Sequence, residues 1–273
     1  MKKENLMLLL ISPAKTLNTS PSRRDMPGTQ PAFWNDAIQL ARELKKRNEE
    51  ELGKLLDISP VLARINAERL QRFSEDPACP AGKYAAEMYR GDTYEDLNVA
   101  SWRSDDWQTA QQSLCILSGL YGVLRPLDLI QPYRLEMRSP LATDRGRDLY
   151  AFWGKRLSEY IASLAVNRTV INLASEEYIK AVRDVPMITP LFKELRQGKL
   201  LTISLRAKRA RGAMARFMIT RRLTEPNALK AFTEGGYRFQ ENLSDSTHWL
   251  FVRAESSEKP LVETGLAGSA RQM

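Results

Sequence analysis

The sequence has few of the residues that build metal and thiol sites. Its 273 residues include one histidine, His248, and two cysteines, Cys79 and Cys115. The two cysteines are far apart and form no CxxC pair, so neither a disulfide framework nor a zinc site is expected. The same inventory argues against a cysteine–histidine nucleophile pair. We therefore predict no metal site and no cofactor.

Long apolar runs are also absent. The N-terminal run LMLLLI is far shorter than the ~20 residues that span a bilayer, and no small-residue cleavage site follows it. Hydrophobic residues make up 43% of the chain and charged residues 27%, which is typical of a soluble globular protein. The sequence predicts a cytoplasmic protein without membrane contact.

Positive charge is in excess and is concentrated in one segment. The chain has 41 Lys and Arg against 33 Asp and Glu, a net charge of +8. Residues 196–222 hold nine basic residues and no acidic one. A clustered excess of this kind favours a basic surface patch and an anionic partner.

Hydrophobic periodicity and turn residues predict a mixed α/β protein. Strands are expected at 6–11, 169–174, 187–193, 200–205, 236–240 and 248–253, the third and fourth forming a hairpin at Gly198-Lys199. Helices are expected at 35–47, 50–56, 60–73, 104–113, 148–164 and 206–221, and from Ser175 onward. No linker divides the chain, which predicts one domain over residues 1–254 and a disordered tail over 255–273.

Residues 117–137, LSGLYGVLRPLDLIQPYRLEM, fit neither a helix nor a strand. Pro126 and Pro132 each remove a backbone donor, and Gly119 and Gly122 allow unusual backbone angles. The segment is nevertheless rich in leucine, which predicts an ordered and partly buried loop. Its charged groups then need partners, so the loop is a candidate functional site.

This segment resembles the YaaA family of bacterial peroxide-stress proteins. Further similar blocks occur in the family's order, from about residue 6 to residue 253: ISPAKT (11–16), YRGDTY (89–94), LYAFWG (149–154), INLASEEY (171–178) and AKRARGAMARFM (207–218). The resemblance implies a cytoplasmic DNA-binding protein linked to oxidative stress and DNA repair. It also implies a single compact domain of unusual mixed α/β fold, with long ordered loops, a basic cleft and a helix-hairpin-helix element.

The basic segment reads as an amphipathic helix over 206–221. At about 100° per residue, Ala210, Met214, Phe217 and Met218 share one arc. The opposite side holds the candidate DNA-binding residues Lys208, Arg209, Arg211, Gly212 and Arg216. A glycine within a helix suggests close approach by another backbone or by a ligand. A solvated face is the alternative, but the helix has no acidic i±4 partners, which favours an anion-binding role.

Residues 50–73 contain a second set of basic candidates. Two helices joined by Leu56-Asp57-Ile58-Ser59 fit the helix-hairpin-helix that the resemblance implies, with Lys54, Arg64, Arg69 and Arg72 available for DNA. The connection has no glycine, however, and Asp57 has the wrong charge for a phosphate. A helical pair that packs through Leu55, Leu62, Ile65 and Leu70 is an equally good prediction.

Polar residues in the remaining blocks are candidates for a pocket. Lys15 follows a buried strand, and Ser175 lies where another strand runs into a helix, the positions at which α/β sheets bind ligands. The candidates are Lys15, Asp92, Tyr94, Arg125, Arg134, Glu136, Asn172, Ser175 and Tyr178, with Asp92 and Tyr94 expected in a loop. They form either a buried ion network, a catalytic or small-ligand pocket, or a nucleic-acid contact; Lys15, Asp92, Arg134 and Glu136 are expected to lie close together.

Two functions are consistent with these features. The first is a DNA-binding protein that contacts the phosphates of duplex or branched DNA through a basic cleft, with a monomer as the simplest state. The second is an enzyme acting on a nucleic acid or a nucleotide-like compound. A deep pocket separate from the basic face would favour the enzyme.

Overall fold

The structure is a computed structural model, and it describes residues 7–22, 26–76 and 82–254. The strands are β1 (Leu8–Ile11), β2 (Thr16–Leu17), β3 (Lys83–Tyr84), β4 (Tyr89–Arg90), β5 (Leu114–Ser118), β6 (Gly122–Leu124), β7 (Leu129–Ile130), β8 (Val170–Leu173), β9 (Met187–Arg196), β10 (Lys199–Leu201), β11 (Tyr237–Phe239) and β12 (His248–Arg253). The helices are α1 (Trp34–Lys45), α2 (Glu49–Leu56), α3 (Pro60–Arg72), α4 (Ala85–Met88), α5 (Asp92–Leu97), α6 (Ser104–Ser113), α7 (Leu149–Trp153), α8 (Arg156–Leu164), α9 (Glu176–Ile179) and α10 (Ser204–Arg221). The predicted tail, residues 255–273, lies outside the described residues.

The main sheet is mixed, as the sequence predicts. Its strand order is β11–β12–β9–β8–β1–β5–β6, and β10 also pairs with β9. The neighbours β12, β9, β8, β1 and β5 run parallel, whereas β11, β10 and β6 are each antiparallel to their partner. The central strands β1 and β8 are buried along their whole length, because parallel strands are covered on both faces. Their continuous apolar sequences, LLLI and VINL, follow from that burial.

The N-terminal helices form where capping residues predict them. Asn48 and Glu51 make a capping box at the start of α2, with each side chain bonded to the other residue's backbone N–H at 2.9 Å. Ser59 caps α3, and Pro60 occupies the first helical position. The predicted helices at 35–47, 50–56 and 60–73 are therefore confirmed to within two residues.

Residues 117–137 are ordered and mostly buried, as predicted, but they contain short strands. β6 turns back on β5, and β7 pairs with β3. Gly119 is required because a Cβ there would lie 2.3 Å from the carbonyl oxygen of Leu135. Gly122 has φ +67, a conformation that favours glycine. The two glycines thus let the segment fold closely on itself.

Four local predictions need correction. The strand expected over 200–205 ends at Leu201, and α10 begins at Ser204. The helix expected over 148–164 is divided into α7 and α8, because Gly154 between them has φ 52 and ends α7. Asp92 and Tyr94 lie in helix α5, and not in a loop, because Gly91 starts the helix with φ 146. The β9–β10 hairpin turns at Gln197-Gly198, both with positive φ, one residue earlier than expected.

The glycine within α10 marks a contact between two helices. A Cβ at Gly212 would lie 1.9 Å from the carbonyl oxygen of Thr93 and 3.0 Å from the backbone nitrogen of Leu97. The α5 backbone therefore approaches α10 at this point. The sequence suggested close approach by either another backbone or a ligand, and the structure shows a backbone. Gly212 is therefore buried and inaccessible to DNA.

Candidate functional site

A cleft of about 320 Å³ opens at the carboxyl edge of the central strands. The residues after β1 (12–16) and Ser175, which follows β8, line it. These two strands are adjacent and parallel, but the chain proceeds from β1 to β5 on one side and from β8 to β9 on the other. Such a reversal is the topological switch point at which open α/β sheets bind ligands.

The cleft collects most of the predicted pocket residues from distant parts of the chain. The candidates that line it are Lys15, Asp92, Tyr94, Arg134, Glu136, Ser175 and Tyr178. Lys208 and Arg211 of α10 line the same cleft. The basic helix and the predicted pocket, which the sequence treats as separate features, therefore share one cavity.

Two charged residues of the cleft were missed by the sequence reasoning. Arg90 ends β4 and Glu177 lies in α9, and both line the cavity. Each lies within a block that carries the family resemblance, YRGDTY or INLASEEY. The resemblance therefore marks both blocks as candidates for the site, but nothing in the sequence indicates which of their polar side chains point into the cavity.

Glu136 holds an ion cluster at one side of the cleft. Its carboxylate lies 3.0 Å from Lys15 Nζ, 3.0 Å from Arg134 Nη2 and 3.6 Å from Arg138 Nε. The Glu136 and Arg134 side chains are 11% and 15% exposed, whereas that of Lys15 is 57% exposed. Among the described residues, no hydrogen-bond partner reaches the buried Arg134 Nε. Lys15, Arg134 and Glu136 are thus close together, as predicted, and Asp92 lines the same cavity.

Buried tyrosines support the base of the cleft. Tyr94 donates a hydrogen bond to the Ser12 carbonyl at 2.9 Å, and the Tyr133 hydroxyl lies 2.6 Å from Ser118 Oγ and 2.7 Å from the Tyr89 hydroxyl. Burial raises the pKa of Tyr133 to about 12 and the pKa of Tyr94 well above its usual value. These hydroxyls are therefore neutral at physiological pH, and the charge of the cleft comes from its Lys, Arg, Asp and Glu side chains.

Serine side chains connect the two strand ends. Ser12 Oγ accepts a hydrogen bond from the Ser175 backbone N–H at 2.8 Å and donates to Ser175 Oγ at 3.2 Å. Asn172 does not line the cleft, in contrast to its prediction as a pocket residue. Its side chain accepts a bond from the Ala174 N–H and donates to Thr189, because it is buried within β8.

Arg125 also lies away from the cleft. Its guanidinium donates to the Gln111 carbonyl, and its backbone N–H donates to Asp128 Oδ2 at 2.7 Å. The other Asp128 oxygen accepts a bond from Thr29 at 2.6 Å. Arg125 therefore belongs to a structural network that joins the 117–137 segment to α6, and not to the pocket.

Asp128 makes stability depend on pH. Burial raises its pKa to about 6 from the ordinary 3.8, so the folded state holds a proton that the unfolded state releases between about pH 4 and pH 6. Stability should therefore fall as pH rises through this window, by about 3 kcal/mol. Asp128→Asn keeps the bond from the Arg125 N–H and reverses the Thr29 bond, with the amide donating to the hydroxyl, and it should abolish this component. Urea denaturation of the two proteins from pH 4 to pH 7 measures the difference; parallel profiles would contradict the prediction.

Acidic residues of other elements neutralise much of the predicted basic face. Arg209 forms a two-bond pair with Asp96 of α5 at 2.9 and 3.0 Å, and Arg216 lies 2.5 Å from Glu234. Arg206 and Arg222 pair in the same way with Glu194 and Asp105. The sequence correctly shows that the helix itself contains no acidic partner, but other elements of the fold supply acidic partners. Arg209 and Arg216 therefore form ion pairs that join elements of the fold. Lys208 and Arg211, in contrast, face the cleft.

Of the four basic candidates in the α2–α3 pair, Lys54 alone forms an ion pair within the described residues. Lys54 pairs with Glu50 at 2.7 Å, and Glu49, Glu50 and Asp57 surround the groove beside the turn. Leu62, a predicted packing residue, is 39% exposed, and the buried contacts come from Leu52, Leu56, Ala63 and Leu70. Arg64 and Arg72 are exposed. Burial and the nearby Arg134 guanidinium lower the pKa of Arg69.

Three cations of the cleft have no acidic partner in the described part of the chain. Within residues 7–22, 26–76 and 82–254, the side chains of Arg90, Lys208 and Arg211 form no ion pair with a carboxylate, whereas Lys15 and Arg134 share Glu136. Arg90 and Lys208 are exposed, and Arg211 is half-buried. Burial lowers the pKa of Arg211. The cleft thus has positive charge available for an anion.

Metal and thiol chemistry have no visible site in the described part of the chain. There, no cluster of three His, Cys, Asp or Glu side chains is placed to hold a metal ion. Cys115 is buried in β5, and burial raises the pKa of its thiol to about 11, so it is a poor target for peroxide. Cys79 lies outside the described residues. Across the same ranges, no helix has the length and hydropathy needed to cross a membrane.

The fold and the cleft define a mixed α/β protein with a cavity lined by charged side chains at the switch point of its sheet. Residues 7–243 match the model of the family described as peroxide stress protein YaaA, and the chain belongs to that family. It is 44% identical over 252 residues to a UPF0246 protein of Acaryochloris marina, covering 90% of this chain and all of the relative. A UPF0246 protein of Magnetococcus marinus is 45% identical over 256 residues, covering 91% of this chain and 99% of the relative.

Proposed function

We propose that this peroxide stress protein acts in the cytoplasm by binding DNA through its cleft, in DNA protection or repair. The observation that carries the proposal is the set of three cleft cations, Arg90, Lys208 and Arg211, that have no acidic partner among the residues the structure describes. Guanidinium groups match phosphate oxygens with two parallel hydrogen bonds, and a lysine adds a point charge. The net charge of +8 supports attraction of a polyanion over longer distances.

The expected binding is directed at phosphates and has little sequence preference. Phosphate contacts set the position of a protein on DNA but do not read bases. Affinity should fall steeply with salt, by ~0.9 units on a log–log plot for each phosphate that is neutralised. Cys115 is buried, so we place the link to peroxide tolerance in DNA binding and not in the oxidation of this thiol.

An enzyme acting on a nucleic acid is less well supported than DNA binding. A pocket separate from the basic face would favour catalysis, but Lys208 and Arg211 of the basic helix line the cleft together with Asp92 and Glu136. One cavity therefore accounts for both sets of residues. We retain DNA binding as the proposed function.

Charge reversal at the cleft tests the proposal. We expect Arg90→Glu combined with Lys208→Glu to lower DNA affinity roughly a hundredfold and to reduce the salt slope by about two units, because two phosphate contacts are lost. Both side chains are exposed and form no ion pair with a described residue, so the melting temperature should change little. Fluorescence anisotropy with duplex, junction and single-stranded DNA at several salt concentrations measures the affinities.

A matched charge reversal is available outside the cleft. Arg183 is exposed and precedes β9, at the opposite edge of the sheet from the cleft. Arg183→Glu combined with Lys155→Glu changes the net charge equally and should leave most of the affinity intact. Equal losses in the two double variants would indicate a general charge effect and contradict a specific role for the cleft. Wild-type protein that binds no DNA at low salt would exclude the proposed function.

A further inference from the structure

The cleft is the size of a small-ligand site. Its volume of about 320 Å³ falls at the lower end of the ~300–1,000 Å³ typical of such sites. A DNA duplex cannot enter a cavity of this size, since its major groove alone is ~12 Å wide. Phosphates of a duplex can lie along the exposed Arg90 and Lys208, but only a single nucleotide fits inside.

The lining is divided between charged and apolar groups. Pro13, Leu135 and Leu173 provide apolar surface, together with the rings of Tyr133 and Tyr178. Arg90, Lys208 and Arg211 provide positive charge without an acidic partner among the described residues. A ligand that suits both parts has an apolar, ring-shaped body and an anionic end.

Arg211 is the residue that most needs such a ligand. Its guanidinium is half-buried, no described carboxylate pairs with it, and burial lowers its pKa. A partly buried charge without a counter-ion destabilises the folded protein. Arg209, two residues earlier on the same helix, is exposed and bonded to Asp96. We therefore assign Arg211 to ligand binding and Arg209 to stability of the fold.

We infer that the cleft binds one nucleotide unit, with its phosphate held by Arg211, Lys208 and Arg90 and its base against the apolar wall. The inference deepens the proposed DNA binding and rests on it where the nucleotide belongs to DNA. The shared chemistry is that of a nucleoside monophosphate, and its source is either a free mononucleotide or an unpaired nucleotide of a DNA strand. Extrusion of a nucleotide is easiest where it is already unpaired.

Calorimetric titration with the whole protein tests the inference. The probes are 5′-deoxynucleoside monophosphates, the corresponding nucleosides, and inorganic phosphate. We expect a monophosphate to bind at least tenfold more tightly than either the nucleoside or phosphate alone. In a second arm, a duplex with one unpaired nucleotide should bind several-fold more tightly than the fully paired duplex, and free monophosphate should remove this difference. If the natural ligand is a free nucleotide, the monophosphate should bind tightly, but the duplex with an unpaired nucleotide should bind no better than the paired duplex.

Two variants of α10 connect the binding to Arg211. Arg211→Met keeps the apolar part of the side chain, and it should lower monophosphate affinity at least tenfold without lowering the melting temperature. Arg209→Met is the matched control and should leave monophosphate affinity unchanged. A clear fall in melting temperature of Arg211→Met would show a structural role and overturn its assignment as a phosphate ligand.

The outcomes separate this inference from the proposed function. Phosphate that binds as tightly as the monophosphate would reduce the cleft to a simple anion site and overturn the inference. Normal DNA binding without any monophosphate binding would overturn the inference and leave the proposed function standing. Monophosphate binding without DNA binding would support the inference and exclude the proposed function.

Discussion

Replacing Gly212 with alanine is expected to lower the free energy of unfolding by about 3 kcal/mol, because the new methyl group meets backbone and not a flexible side chain. Its Cβ would lie 1.9 Å from the Thr93 carbonyl oxygen and 2.8 Å from the Thr93 carbonyl carbon. The two helices must move apart to admit it. In an unobstructed helix the same substitution stabilises by ~1 kcal/mol, so the packing reverses the sign.

Gly53 in α2 provides the matched control. A Cβ there would lie 3.5 Å from the Ala63 Cβ and 3.6 Å from the Ile58 carbonyl oxygen, which are ordinary contact distances. Gly53→Ala should therefore raise stability by up to ~1 kcal/mol. Chemical denaturation of both variants measures the difference. If Gly212→Ala is as stable as Gly53→Ala, the α5–α10 contact is looser than the structure indicates.

The same contact positions two walls of the cleft. α5 supplies Asp92 and Tyr94, and α10 supplies Lys208 and Arg211. A wider separation of the helices would move these groups apart. We therefore expect folded Gly212→Ala protein to bind DNA more weakly than the parent, although no charge has been removed.

Glu136→Gln is expected to cost about 3 kcal/mol of stability, because it removes the carboxylate that compensates a largely buried arginine. Arg134 is 15% exposed and has no other carboxylate within reach in the described residues, whereas Lys15 and Arg138 can return to solvent. The substitution also makes the cleft more positive, so DNA affinity should rise several-fold at low salt. Thermal melts and anisotropy titrations measure the two effects.

Glu177→Gln separates charge from structure in the same cleft. Glu177 lines the cavity and accepts a bond from the Arg138 N–H at 3.2 Å, but it forms no ion pair among the described residues. This variant changes the charge of the cleft equally and should lose little stability. A fall in DNA affinity with Glu136→Gln in the folded state would mean that Glu136 contacts the ligand, in contrast to the structural role proposed here for its ion cluster.

Much of the fold follows from local sequence. The run LLLI predicts a buried strand, Ser59-Pro60 predicts the start of α3, and Gln197-Gly198-Lys199 lies close to the predicted hairpin turn. These signals act over a few residues, through capping bonds, side-chain burial and allowed backbone angles. The division of the 148–164 helix was missed because a glycine in a helical pattern is compatible with either continuation or a break.

The candidate site was partly predictable. Lys15 and Ser175 were identified because each follows a strand, and parallel strands of one sheet place their carboxyl ends together. Arg125 and Asn172 were also polar and in similar blocks, but their side chains bond within the core. Sequence alone does not separate a polar residue that points into a cavity from one that satisfies a buried backbone group.

The sequence by itself determined the family, the mixed α/β class and the positions of most helices and strands, because these depend on neighbouring residues and on patterns spread along the chain. Tertiary structure alone decided which charges remain available. Arg209 and Arg211 are two residues apart on one helix, yet Asp96, more than a hundred positions away in sequence, pairs only with Arg209. Charges interact over a few ångströms of space whatever their separation in sequence, so the fold sets the chemistry of the cleft.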